Sequence, residues 1–459
     1  MPSEIKSILS GKKILILGFG KEGKSTYKLL RGWFPDLFIT IGDRNENIAE
    51  DQPELDNYSN IGLISGKAYL DSCGDFDLII KSPGIPYELV AEKCGTAKIT
   101  SQTDLFLKAF AALVTGVTGT KGKSTTASLI HHIMLTAGRK AVLAGNIGIP
   151  PLDLADKVDG DTEVIFEMSS HQLEHISRAP GIAVILNVFP EHLDHYKDFT
   201  AYKMAKFNIS RMQPEDGKLI YNADDPIIRE LILQQAENKS LLSFSLDKHE
   251  GIDAYYDDEQ VICRDAAGQM HYFPLAAVKD LPGMHNVMNI MAAILVCIDK
   301  EVEDEKIMQG LVSYRRLAHR LEYAGRFNGV SFFDDSIATI PEASVEALKT
   351  LERVDLLILG GHDRGLDYDV LYNRLYEYPV PYLVFMGEAG RRMYRVLRKL
   401  LIGKSECALV DDMEGAFNFI RGSLRTGDVC LLSPAAASYG MYKNFEERGD
   451  VFKKMAATF

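Results

Sequence analysis

The chain has 459 residues, room for about three domains, and its 46% hydrophobic and 25% charged side chains are an ordinary globular balance. A formal net charge of −13 excludes a nucleic acid or an anionic membrane held by bulk electrostatics, but not phosphate ligands gripped by local loops. No apolar run approaches the roughly 18 residues of a bilayer span, and the opening MPSEIKSILSGKK lacks the apolar core of a secretory signal, so a cytoplasmic chain is expected.

Short apolar runs alternate with helical patterns, which predicts α/β units on parallel sheets. In chain order, a strand at Lys13–Leu17 leads into a glycine turn and a helix near Lys24–Arg31. Further strands follow at Leu37–Ile41 and Leu78–Ile80. A second module opens with a strand at Ala112–Val117 and a helix near Lys123–Ala137, and continues through strands at Val164–Glu167 and Ala183–Asn187. A third begins near Tyr314, with strands at Val330–Phe333, Leu356–Leu359, Tyr382–Phe385 and Val429–Leu432 and a closing helix at Tyr442–Ala457. The reading is therefore three domains, 1–102, 103–315 and 316–459. The cysteines Cys73, Cys94, Cys263, Cys297, Cys407 and Cys430 form no CxxC pair, so buried free thiols are expected and a zinc site is not.

Gly18-x-Gly20-Lys21-x-Gly23 follows the first strand, and Asp43 ends the next one. That is a complete dinucleotide fingerprint, which alone suggests an NAD-dependent oxidoreductase. A UDP group meets the same physical requirements: a pyrophosphate at a helix N-terminus and an acidic residue near a ribose or base.

Val114-Thr-Gly-Val-Thr-Gly-Thr-Lys-Gly-Lys-Ser-Thr125 sits between a predicted strand and a helix. It resembles a Walker A loop with Val117 in place of the first glycine. Its glycines let backbone N–H groups face phosphate oxygens, Lys123 supplies a mobile cation, and the Ser124 hydroxyl suits Mg²⁺. Glu167 closes an apolar strand, where a carboxylate faces the ligand crevice and is a natural Mg²⁺ ligand. His192 is a less usual ligand, and on chemistry alone a loop histidine is an equal reading. Lys206, on a predicted helix, reads as a surface lysine from sequence alone. A dehydrogenase needs neither the phosphate loop nor the metal carboxylate.

With these residues in hand the whole chain resembles the Mur ligase family, and within it the branch that joins D-glutamate to UDP-N-acetylmuramoyl-L-alanine. The carriers are TGTKGKST, Gly145–Gly148, EMSSHQLE, NVFPEHLDHY, Gly283-Met-His-Asn286-Val-Met-Asn289, His319-Arg320, Asp334-Asp335-Ser336, Gly360-Gly-His-Asp-Arg364, Leu432-Ser-Pro-Ala-Ala-Ala-Ser438 and Phe445-Glu-Glu-Arg-Gly449. The resemblance implies an α/β fold of three domains: an N-terminal Rossmann-like UDP-binding domain, a central P-loop ATPase-like domain and a C-terminal Rossmann-like domain. It implies ATP and two Mg²⁺ ions as cofactors. Gly119, Thr120, Lys121, Gly122, Lys123, Ser124, Thr125, Asn286, Asn289, Arg320 and Asp335 would contact ATP. Ser124 and Glu167 would hold one Mg²⁺, and His192 and Lys206, the latter carbamylated by CO₂, the other. Gly18, Gly20, Lys21, Gly23, Asp43, Gly84, Asn146, Ser169, Gln172 and His192 would contact the UDP-sugar. For Gly84 and Asn146 the residues alone favour ordinary turn geometry.

The implied chemistry transfers the ATP γ-phosphoryl to the substrate carboxylate, and the amino group of glutamate then displaces phosphate. The expected partners are UDP-N-acetylmuramoyl-L-alanine, glutamate and ATP, with no nucleic acid or membrane, and a monomer is expected. Closure of the C-terminal domain is expected to assemble the reactants. Thr339, Arg364, Ser438 and Phe445 match the family's glutamate-site residues, with Arg364 in place of a lysine. Ile337, however, replaces a second family lysine and cannot pair with a carboxylate. The alternatives are therefore a related ligase adding L-glutamate or another amino acid to the same precursor, a folylpolyglutamate-type ligase, which would lack the Gly18–Gly23 domain, and a nucleotide-binding paralogue without activity.

Overall fold

A computed structural model describes residues 2–459 except 53–54, 56–58, 146–148, 192–194, 236–239, 282, 316–317 and 352, and excludes the side chains of 50, 51 and 235. The expected Asn146 and His192 contacts lie outside the described residues. The chain divides into two compact units, Met1–Tyr314 and Arg315–Phe459.

The first unit carries two sheets. One is wholly parallel, with strands β1 (Ile14–Leu17), β2 (Ile39–Asp43), β3 (Ile61–Ser65), β4 (Leu78–Lys81) and β5 (Lys98–Thr100) in the order β3-β2-β1-β4-β5. All four residues of β1, Ile-Leu-Ile-Leu, are buried, as a strand covered on both faces requires. The other has nine strands: β6 (Val114–Thr118), β7 (Ala141–Gly145), β8 (Glu163–Glu167), β9 (Ile182–Ile185), β10 (Lys218–Asn222), β11 (Ser240–Ser245), β12 (Ala254–Asp257), β13 (Gln260–Arg264) and β14 (Met270–Pro274). Their order is β14-β13-β12-β11-β10-β9-β6-β8-β7. It is parallel up to β12, and its last two strands pair antiparallel. Polar contacts join the two layers: Ser25 Oγ donates to Asp153 (2.7 Å), Ser177 N and Oγ donate to Asp104 (2.7 Å each), and Trp33 Nε1 donates to Asp156 at 3.0 and 3.1 Å.

The second unit has six strands: β15 (Glu322–Phe327), β16 (Val330–Asp334), β17 (Leu356–Gly360), β18 (Tyr382–Met386), β19 (Glu406–Val410) and β20 (Val429–Leu432), in the order β15-β16-β20-β17-β18-β19. Only β15 runs antiparallel to its neighbour.

The six cysteines are free thiols. Four are buried, and Cys94 and Cys407 are half-buried. No helix among the described residues is long and apolar enough to cross a membrane. The closing helix starts at Phe445 rather than at Tyr442, because Asn444 caps it by accepting the Glu447 N–H.

Candidate active site

Three neighbouring strands, β9, β6 and β8, build the phosphate end of the first unit. The helix Lys123–Thr136 starts directly after Gly122, whose φ is +88°, and no side chain caps it. The helix dipole favours an anion at that end. A Cβ on Gly122 would lie 2.4 Å from Asn289 Oδ1, so the residue must be glycine for conformation and for space. That approach brings the Asn286–Asn289 segment against the loop. Thr126 Oγ1 lies 3.2 Å from Asn289 Oδ1, and Asn289 Nδ2 donates to Asn286 Oδ1 at 3.2 Å.

Lys123 Nζ donates to Gly119 O (3.0 Å) and Thr120 O (2.9 Å). Ser124 Oγ donates to Glu167 Oε1 at 2.9 Å, while the buried Glu167 Oε2 has no hydrogen-bond partner. A hydroxyl beside a buried, under-used carboxylate is a hard-oxygen set that fits Mg²⁺. Lys206 is 2% exposed, which corrects the expectation of a surface lysine. The helix Phe199–Arg211 turns it inward, and its Nζ donates to the same Gly119 carbonyl at 2.8 Å. Burial, and then the Lys123 ammonium, push the Lys206 amine well below its ordinary pKa.

Asn187 and Tyr202, which the sequence did not single out, hold the loop. Asn187 accepts from Lys121 N–H through Oδ1 (2.8 Å) and donates to Lys121 O (3.1 Å), and its own carbonyl accepts Thr120 N–H (2.8 Å). Tyr202 OH lies 3.1 Å from Thr120 Oγ1. Lys121 is the outer cation of the loop, paired with Glu191 at 2.9 Å.

At the β1 turn, a Cβ on Gly23 would lie 2.1 Å from Gly18 O, so this helix start packs against the turn only with glycine there. Asp43 accepts Phe19 N–H (2.6 Å) and Asn45 N–H (2.8 Å), so its carboxylate also clamps the glycine loop. Space around Gly84 would admit a Cβ, in keeping with ordinary turn geometry. Ser169 caps the helix Ser170–Leu173 in a reciprocal capping box with Gln172. Gln172 Nε2 donates to Glu22 Oε1 at 2.8 Å, so Ser169 and Gln172 are joined to the Gly20–Gly23 turn.

In the second unit, the ends of β16, β20 and β17 gather the remaining candidates. Asp335 accepts from Ser433 Oγ (2.7 Å) and from Leu321 N–H (3.1 Å), and burial pushes its carboxyl up to about 7. Arg320 is exposed next to His319, whose Nδ1 lies 2.7 Å from Asp334 Oδ2. Arg364 is exposed and donates to Thr339 O at 2.7 Å, which brings those two expected acceptor residues together. Ser438 is buried, and Phe445 O accepts Ser336 Oγ–H at 2.8 Å.

Arg448, which the sequence placed in a motif without giving it a role, organises this end. It is fully buried and donates to Ser336 Oγ (3.0 Å), Ser336 O (2.8 Å) and Ala436 O (3.0 Å). Its partners are neutral, and burial lowers its pKa to about 10.

The Mur ligase middle domain matches residues 117–297. UDP-N-acetylmuramoylalanine--D-glutamate ligase of Acetivibrio thermocellus is 31% identical over 99% of this chain and 98% of its own. The proteins of that name from Geobacillus sp. and Symbiobacterium thermophilum are each 34% identical over 96% of both chains. Among solved structures, the murein peptide ligase mpl of Psychrobacter arcticus has a TM-score of 0.54 at 18% identity, covering 98% of this chain and 99% of that one. MurF ligase of Thermotoga maritima, in complex with ADP, has a TM-score of 0.50 at 18% identity, covering 97% and 95%. These two likenesses show a shared fold.

Proposed function

Because the chain belongs to the Mur ligase family, with relatives 31% and 34% identical over nearly its full length, we propose that it joins D-glutamate to UDP-N-acetylmuramoyl-L-alanine, using ATP, in peptidoglycan precursor synthesis. The observation that carries this reading is the convergence on one loop: Lys123 and Lys206 both donate to Gly119 O, and Ser124 reaches Glu167. A dehydrogenase would have no use for that grouping.

The division of labour follows from charge. A carboxylate is a poor electrophile because oxide is a poor leaving group, so the γ-phosphoryl group is first transferred to it. Lys123 and the helix N-terminus behind Gly122 stabilise the negative charge that spreads over the transferring group. Amide formation then needs the acceptor amine free and its carboxylates anchored. Mg²⁺, when bound, neutralises the phosphate oxygens, and Ser124 and Glu167 would hold one ion, with His192 and carbamylated Lys206 for the second. Asn286, Asn289, Arg320 and Asp335 would contact ATP. Residues 1–102, 103–315 and 316–459 would act as UDP, ATP and acceptor domains of a cytoplasmic monomer.

Arg364, with Thr339, Ser438 and Phe445, is assigned to the acceptor. Arg364→Ala is expected to raise the KM for glutamate roughly ten- to a hundredfold, the worth of one charge-assisted hydrogen bond, and to leave the KM for ATP unchanged. Equal rises in both would remove the assignment. Ile337, half-buried where the family carries a lysine, gives the second reading, a ligase adding L-glutamate or another amino acid to the same precursor. A phosphate-release assay with UDP-N-acetylmuramoyl-L-alanine and a panel of D- and L-amino acids tests the whole reading. Turnover with D-glutamate is expected, and release with no amino acid in the panel would defeat it.

A further inference from the structure

Glu22 lies in the first turn of the helix Lys21–Trp33, inside the glycine motif, and no role for it follows from that motif. Its backbone is fixed: Glu22 O accepts from Thr26 Oγ1 (2.9 Å) and from Gln102 Nε2 (3.0 Å), and Gln102 is 1% exposed. Its side chain crosses to the central sheet's layer, where Oε1 accepts from Gln172 Nε2 at 2.8 Å. Oε2 is buried and makes no hydrogen bond.

The other end of the Gln172 amide is also fixed. Gln172 Oε1 accepts the Ser169 N–H at 3.0 Å and lies 3.2 Å from Ser169 Oγ, which in turn accepts the Gln172 N–H at 3.2 Å. The two ends demand opposite chemistry: an acceptor toward Ser169 N–H and a donor toward the Glu22 carboxylate. Flipping the amide would set N–H against N–H and oxygen against oxygen. Without the carboxylate only the Ser169 side would select the orientation. Gln172 is 6% exposed, so a misdirected amide there would leave unpaired groups.

We propose that Glu22 is a positioning residue for the UDP-sugar site: it locks the Gln172 amide across the seam between the first two sheets, leaving one Nε2 hydrogen as a fixed donor for the nucleotide-sugar. This rests on the reading above that Ser169 and Gln172 contact the UDP substrate. Burial raises the Glu22 pKa, with the Gln172 hydrogen bond and the Lys81 charge opposing that rise. The lock does not depend on the outcome, because a neutral carboxyl also accepts through its carbonyl oxygen.

The test uses the full chain and titration calorimetry with UDP-N-acetylmuramoyl-L-alanine and, separately, with ATP. Glu22→Met keeps the side-chain length and removes the acceptor. It is expected to weaken the nucleotide-sugar about tenfold and to leave ATP affinity unchanged, as the loss of one orienting hydrogen bond would. Glu22→Gln keeps an acceptor oxygen and is expected to recover most of that loss. In a Gln172→Ala background, Glu22→Met should change nothing further, since a residue that acts through Gln172 has no effect once Gln172 is gone. Additive losses, an unchanged affinity in the single variant, or a parallel loss of ATP binding would each overturn the proposal. Wild-type protein that binds the nucleotide-sugar but turns over no amino acid would instead count against the ligase reading, with the Glu22 result still measured.

Discussion

Replacing Lys123 with alanine is expected to lower turnover by about two to three orders of magnitude, the usual effect of deleting one group that stabilises charge in a transition state. The structure also predicts that the variant stays folded. The Lys123 side chain is only half-buried, and its two hydrogen bonds go to loop carbonyls that water can satisfy. The core beneath, including Val117, Leu129 and Ile130, is untouched. Phosphate-release rates alongside a thermal melt check both halves. A rate near wild type would remove Lys123 from the chemistry, and a collapsed melt would make it structural.

The second large effect is expected at Lys206. Its amine is buried, lies over the Tyr202 ring at 4.8 Å and shares the Gly119 carbonyl with a second ammonium. Both desolvation and like charge favour the neutral amine, which is the form that attacks CO₂. In the proposed carbamylation a nitrogen–carbon bond would form, one carbon–oxygen π pair would move to oxygen, and an amine proton would leave to solvent. The product would be an anionic oxygen donor in place of an amine. Lys206→Arg cannot undergo this step, because guanidinium stays charged, and it is expected to lose at least about a hundredfold in rate. Wild-type activity should fall in CO₂-free buffer and return with bicarbonate. Protein treated with ¹³C-bicarbonate should give a carbamate resonance that Lys206→Arg lacks. Activity indifferent to CO₂, with no such resonance, would leave Lys206 as an unmodified amine.

The difference between these two lysines shows what sequence can carry. Lys123 was legible because its neighbours are local: a buried strand, three glycines and a helix start lie within ten residues of it. Glu167 was legible for the same reason, as the last residue of β8. Lys206 lies on a helix whose inward face depends on packing against a distant loop, so its burial is a tertiary fact. The Glu22–Gln172 and Arg448–Ser336 contacts span 150 and 112 residues and left no local trace. Among the strands, β20 was read to the residue, since Val-Cys-Leu-Leu is a short apolar run bounded by polar residues. The stretch β10 to β14 was missed, as were β3, β5, β7, β15 and β19. Strands such as Met270–Pro274 are exposed on alternate residues and sit among aspartates and glycines, so their pairing is decided by neighbours in the sheet. Helix and strand limits elsewhere moved by one to three residues where caps such as Asn444 decided them.

Trp33 is the only tryptophan in the chain, and its indole N–H reaches Asp156 across the first two layers, with the Lys6 ammonium 4.8 Å from the ring. Intrinsic fluorescence excited in the indole band therefore originates from one place, a ring between a carboxylate and an ammonium. Any loosening of that seam alters the charges around the ring and so shifts its emission, giving the protein an optical gauge of how tightly its first two layers are joined, with no dye attached.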